Sequence, residues 1–220
     1  MSLPLADLLD ITLRSLAVSV SAVALAAALA IPFAAWLAIS RFRGRGAFIA
    51  VLNALMGLPP VVVGLGLYLL LSRSGPFGVL DLLFTTWAMV LAQFIIVFPL
   101  IASLAHQSLS DLWQRYRDLL VSVGARKGQR ALIVIRDARH ALLTAILAGF
   151  GRAVGEVGAI LIVGGNIDHL TRVLTTAITL EVSKGNLAFA VALGAILLAI
   201  SLFVSVALHV LSKTEETRPW

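Results

Sequence analysis

The sequence predicts an all-α, polytopic membrane protein with about five transmembrane helices. Three observations lead there. Hydrophobic residues make up 60% of the 220-residue chain and charged residues only 13%. Soluble domains run near half apolar and a quarter charged, so the balance points to lipid as the solvent; the mean hydropathy is +1.02. The apolar residues gather into five runs, each long enough to cross a hydrocarbon core about 30 Å thick, which takes roughly 20 helical residues. The cations gather in alternate links between those runs.

The first run extends from Ser15 to about Ser40, with no charge between Arg14 and Arg41. A cleaved signal peptide competes with a span here. The run is longer than the apolar core of such a peptide, and acidic Asp7 and Asp10 precede it where a basic region would stand. The second run covers about Ala47 to Leu71 and is interrupted at Gly57-Leu58-Pro59-Pro60, with Gly64 and Gly66 following. Two adjacent prolines remove two backbone donors and must bend or break the helix. Such a break is either a packing kink or part of a polar path, since irregular backbone at membrane depth needs protein or water to satisfy it. Pro59 and Pro60 are therefore candidates to line a path.

The third run covers about Leu83 to Ala105 and the fourth about Ala141 to Val163. Gly149, Gly151, Gly155 and Gly158 on the fourth would let helices approach closely. That span also holds Arg152 and Glu156, an i,i+4 pair on one helical face that can partly neutralise itself. A charge at the bilayer centre costs about 2.5 kcal/mol or more, so it faces a bundle interior or a wet cavity. The pair is either a structural ion pair or a lining of the path. The fifth run covers about Leu187 to Leu211.

Charge sets the expected orientation. Arg41, Arg43 and Arg45 fill the link after the first run, and the link from His106 to His140 carries seven more cations. These ten of the chain's 17 Lys and Arg residues mark the cytoplasmic side. The opposing links hold only Arg73, Arg172 and Lys184. The N-terminus is then outside and the Lys213–Trp220 tail cytoplasmic. The net charge of +6 is a topology signal and not a nucleic-acid-binding face. With no cysteine and four scattered histidines, His106, His140, His169 and His209, no metal-ligand spacing is present.

The link from residue 106 to 140 is patterned as a helix. Leu109, Leu112, Tyr116, Leu119 and Leu120 recur at three- and four-residue spacing. Gly124 interrupts, a polar basic stretch follows, and residues 131–135 are apolar again. A helix–glycine–short-helix element is what a soluble partner could grip. An amphipathic helix lying on the anionic leaflet accounts for the pattern equally well.

The stretch from Asp118 to Gln129 resembles the cytoplasmic coupling loop of ABC-importer permeases. Asp118 stands at the acidic position and Gly124-Ala125 at the Gly-Ala pair. Leu119 and Leu120 replace two small residues, and Asp137 stands near where many members carry proline. The run from Gly151 to Ile167 resembles the molybdate and tungstate branch, and Val163–Ile167, Thr171–Ile178 and Glu181–Gly185 look most like its tungstate members. The likeness covers about residues 10 to 212.

The resemblance implies a type I importer-like permease fold in a single domain, residues 1–220, with a coupling loop at 106–140. It implies a permease for tungstate or a similar oxyanion in the cytoplasmic membrane, not an enzyme. The coupling residues would be Asp118, Gly124, Ala125, Arg126, Lys127 and Gln129, seated on an ABC ATPase subunit. No phosphate-cradling Gly-x-x-x-x-Gly-Lys-[Ser/Thr] loop occurs, so ATP and magnesium are expected on that partner and no cofactor on this chain. A second copy would complete the path, an extracytoplasmic binding protein would deliver the anion, and lipid would surround the pair. Asn166, Thr171 and Arg172 would meet the anion or the binding protein, or simply order their loop. The alternatives are a permease for a different small anion such as sulfate, and an ion-gradient-driven transporter; the latter would usually show internal repeats or several intramembrane acids, and neither is seen.

Overall fold

The computed structural model describes residues 5–216, and among these every regular element is helical. The first helix, α1 (Leu5–Ile39), begins some ten residues before the expected span. Its opening turns are held by the Arg14–Asp10 ion pair at 2.9 Å, an i,i+4 pair that the helix itself aligns. The expected tail at Lys213–Trp220 falls partly outside the described residues.

The second run is two helices, α2 (Arg45–Leu55) and α3 (Pro60–Leu71), meeting at 97°. Pro59 holds an extended backbone and Pro60 opens α3, where a missing N–H costs nothing. The third is longer than expected: α4 (Thr86–Ser122) runs unbroken for 37 residues, well past Ala105. Thr85 caps its start by accepting from the Ala88 N–H at 3.3 Å, and Pro99 sits inside without ending it. Nothing from Ala105 to Ser122 breaks a helix, so the first half of the expected link is an extension of the span.

After α5 (Lys127–Asp137), the fourth run is also broken. Helices α6 (Arg139–Val154) and α7 (Gly158–Gly164) meet at 61°. The four glycines therefore do not share one helical face. Gly149 does provide a close approach, since a Cβ there would lie 2.7 Å from Ile101 on α4, and Gly158 meets Val61 on α3. No such contact forms at Gly155. The expected external link from residue 164 to 186 contains a ten-residue helix, α8 (Leu174–Ser183), before α9 (Leu187–Glu216).

Among the described residues, three helices are long and apolar enough to cross a membrane, and up to five spans result if each bent pair is one span. The most extensive packing is between α1 and α4, with α6 against both. Alanines at residues 22, 26, 30, 34 and 38 are almost fully buried along α1, where small side chains bring α4 close. Helix α9 packs on α6 and α8 and leaves Leu198, Leu202 and Phe203 exposed, as an apolar solvent allows.

Candidate functional site

The two breaks abut. Helices α3 and α7, the downstream halves of the broken spans, pack together: a Cβ on Gly64 would lie 2.8 Å from the Ala159 Cα. Arg152 stands in the last turn of α6 and Glu156 in the break before α7. Arg152 Nη1 donates to Glu156 Oε2 at 2.7 Å, and the Ala159 N–H donates to Glu156 Oε1 at 3.1 Å. The pairing expected from i,i+4 spacing thus forms, but across a break and not along a continuous helix. Each charge suits its place, a cation at the C-terminal end of α6 and an anion at the N-terminal end of α7. Glu156 is buried, with 4% of its side chain exposed, whereas Arg152 is 35% exposed. The acid anchors the cation at the break while its side chain stays partly exposed.

Neighbours satisfy the backbone freed at this break. Thr175 of α8 donates to the Glu156 carbonyl at 2.8 Å. Gln93 of α4, almost wholly buried, donates to the Ala153 carbonyl at 2.8 Å and to Ser19 Oγ of α1 at 3.3 Å. The sequence reading missed Gln93, although an amide in the third apolar run was a visible signal. It missed Thr175 as well, because nothing local to Thr175 distinguishes it. Pro59 is exposed beside this junction and Pro60 is half-buried.

The expected external candidates are brought together, and they hold their own loop. Thr171 is fully buried; its hydroxyl donates to the Gly164 carbonyl at 2.5 Å and accepts from the Ile167 N–H at 2.9 Å. Asn166 donates to the Thr176 carbonyl at 3.3 Å, and Arg172 pairs with Asp168 at 2.6 Å. Close by on α8, Glu181 bonds Lys184 and Asn186, each at 2.9 Å. The Lys184 ammonium, aided by Asn186, holds the Glu181 carboxyl below the usual carboxylate range, against the opposing effect of burial.

The coupling-loop candidates lie at the far end of α4, with Asp118 exposed in its closing turns. Gly124 takes a left-handed φ of 69°. Its N–H donates to the Val121 carbonyl and that of Ala125 to the Leu120 carbonyl, both at 3.1 Å, which ends α4 in a Schellman turn. The Arg126 N–H donates to Gln129 Oε1 at 2.8 Å and so starts α5. Tyr116 donates to Asp137 at 2.9 Å, tying α5 back to α4. Around Gly124 lies a cavity of about 390 Å³ lined by Leu120, Val123, Ala125, Gln129 and Leu132. Leu119, Val121, Val123 and Ile133 are exposed around it, and Arg126 and Lys127 flank it. The patch at the end of α4 is therefore apolar, with Arg126 and Lys127 adjacent to it in the chain.

Among the described residues, no group of three or more His, Asp or Glu side chains could hold a metal ion. His106 contacts Arg45 and His169 contacts Asp10.

Comparison with known proteins identifies the family. Residues 30–215 match the family described as the binding-protein-dependent transport system inner membrane component. A probable anion ABC transporter permease protein of Haloferax volcanii is 46% identical over 208 residues, covering 92% of this chain and 90% of its own. The tungstate uptake system permease protein TupB of Peptoclostridium acidaminophilum is 40% identical over 199 residues, covering 90% and 87%. TupB of Campylobacter jejuni is 37% identical over 164 residues, covering 74% and 69%. The chain belongs to the binding-protein-dependent inner-membrane component family, the multi-pass permease subunits of ABC transporters.

Proposed function

We propose that this chain carries tungstate, or a molybdate-like tetrahedral oxyanion, into the cytoplasm as half of a homodimeric permease driven by a separate ABC ATPase. The observation that carries the reading is Arg152: a cation at the junction of two broken spans, anchored by buried Glu156 and itself partly exposed. An anion crossing hydrocarbon needs such a cation, and a lone cation there would be costly. The tungstate permeases among its relatives support the substrate. The exposed part of Arg152, with exposed Pro59 and the exposed face of α3, is where a second copy would close the path. An extracytoplasmic binding protein would deliver the anion near the loop of Asn166, Thr171 and Arg172. ATP and magnesium would act on the ATPase, seated against Gly124, Ala125, Arg126, Lys127, Gln129 and Asp118. Transport is then a switch between two packings that ATP binding biases.

The test is uptake into proteoliposomes holding this chain, its ATPase and the binding protein, with tungstate offered against molybdate and sulfate. ATP-dependent uptake of tungstate is expected. Gly124→Val keeps the cavity clear, because nothing lies within 4 Å of the added Cβ, but it forces a β-branched residue into a left-handed conformation. Uptake should fall about tenfold or more, since a backbone cost near 1–2 kcal/mol per left-handed residue reshapes the docking turn. Uptake driven by an ion gradient without ATP would overturn the reading.

Orientation has its own test. The chain has no cysteine, so single introduced thiols report cleanly. Arg126→Cys should react with an impermeant maleimide only in inside-out vesicles, and Ser183→Cys only in intact cells.

A further inference from the structure

A cavity of about 210 Å³ lies where the end of α1 meets the extension of α4, and its wall carries Arg41, Arg45, Arg117, Ser110, Gln114 and Asp118. Only Asp118 belongs to the coupling candidates. The three arginines come from two segments remote in sequence, and the fold converges them on one space. Arg45 is held in place: its Nε donates to the Leu37 carbonyl at 2.9 Å, and its Nη2 lies 3.3 Å from His106 Nε2. Among the described residues, Arg41 and Arg117 make no hydrogen bond or ion pair with protein. Against three cations stands one carboxylate, leaving the cavity two charges positive. A bias toward cations on this side would scatter arginines over the link without building a cavity. Arg43, in the same link, does not line it.

We infer that this cavity binds the phosphate of an anionic phospholipid headgroup from the leaflet on the coupling-loop side. The guanidinium forks would take the phosphate oxygens, with Ser110 and Gln114 as neutral donors. Asp118, also on the wall, would accept from a headgroup hydroxyl. Lipid is favoured over a free anion by what flanks the arginines. Trp36 and Phe42 are stacked with centroids 5.4 Å apart, and the aromatic contacts continue through Phe33 to Phe48. Trp36, Phe42 and Phe48 are all exposed. Aromatic side chains gather at the headgroup level, and this strip gives acyl chains an apolar surface beside the cations. Which leaflet supplies the lipid rests on the orientation proposed above; the cavity itself does not.

The experiment counts lipids retained on the purified permease–ATPase complex by native mass spectrometry, from detergent containing equal phosphatidylglycerol and phosphatidylcholine. Wild type is expected to keep phosphatidylglycerol preferentially. Arg41→Gln with Arg117→Gln should lower that preference about thirtyfold, and Arg43→Gln should leave it in place. If the double variant does not assemble, Arg41→Gln alone should lower it about fivefold. Equal retention in wild type and variant, or the same loss in Arg43→Gln, overturns the assignment. A second arm adds inorganic phosphate or tungstate to lipid-stripped complex. A rise in thermal midpoint that requires Arg41 and Arg117 would give the cavity to a free oxyanion and overturn the lipid. Retention in detergent does not depend on how the chain inserts, so this failure is separable from a failed orientation in the thiol assay.

Discussion

Glu156→Ala is expected to destabilise the permease by about 3 kcal/mol, read as a lowered thermal midpoint in detergent, because it removes the buried partner of two hydrogen bonds, one of them to the partly exposed Arg152. The Ala159 N–H loses its acceptor and Arg152 loses its counter-ion in the same step. Glu156→Gln keeps an acceptor for the N–H and should recover part of the loss. The double variant Arg152→Gln, Glu156→Gln removes both charges and should be more stable than either single charge removal, giving a coupling term in a double-mutant cycle. Its transport is the decisive reading. If Arg152 faces the anion, the double variant assembles and ATP-driven tungstate uptake is lost. A double variant that assembles and still transports would reduce the pair to a structural bond and remove it from the path.

Gly64→Val should be nearly as damaging for a different reason. A Cβ at this position meets backbone, with the Ala159 Cα at 2.8 Å and its carbonyl oxygen at 3.1 Å. Backbone cannot swing aside as a side chain can, so α3 and α7 must part, at about 3 kcal/mol. Gly66→Val is the control within the same helix. Nothing lies within 4 Å of its added Cβ, and the change in helix propensity is the same. A Gly64 variant no less stable than the Gly66 variant, in thermal unfolding of the same complex, would show that the two half-helices are not held by this contact.

The contrast between the two broken spans shows what a sequence reveals. The break at Pro59 and Pro60 was legible, because proline's missing donor acts wherever the chain goes. The break at Gly155–Val157 was not, because Gly155, Glu156 and Val157 can all continue a helix. It exists because Thr175, Gln93 and the Glu156 carboxylate satisfy the backbone groups it frees, and two of these three come from other helices. The same logic covers Thr171: its sequence position marked it as notable, but only its burial against the Gly164 carbonyl shows that it orders the loop. The coupling turn was legible because Gly124 and the leucine spacing are local signals. The helix over Leu109 to Leu120 was legible from the same spacing; its unbroken continuity with the third run was not, because hydropathy falls off after Ala105 whereas helical hydrogen bonding does not.

That unbroken α4 has a mechanical consequence. At about 1.5 Å per residue, Gln93 and Leu120 lie roughly 40 Å apart on one rod. Near one end the rod grips the Ala153 carbonyl; in between, Ser103 bonds Asn53 of α2; the other end closes in the Gly124 turn. A push on the turn needs no relay of loosely linked contacts to reach the break. A tilt of about 5° displaces the far end by roughly 3 Å, about the length of a hydrogen bond. Pro99, between the two grips, removes one rung from the helical ladder. Under the proposed function, a stroke applied at Gly124 would bend this lever most readily there before it reached the break beside Arg152.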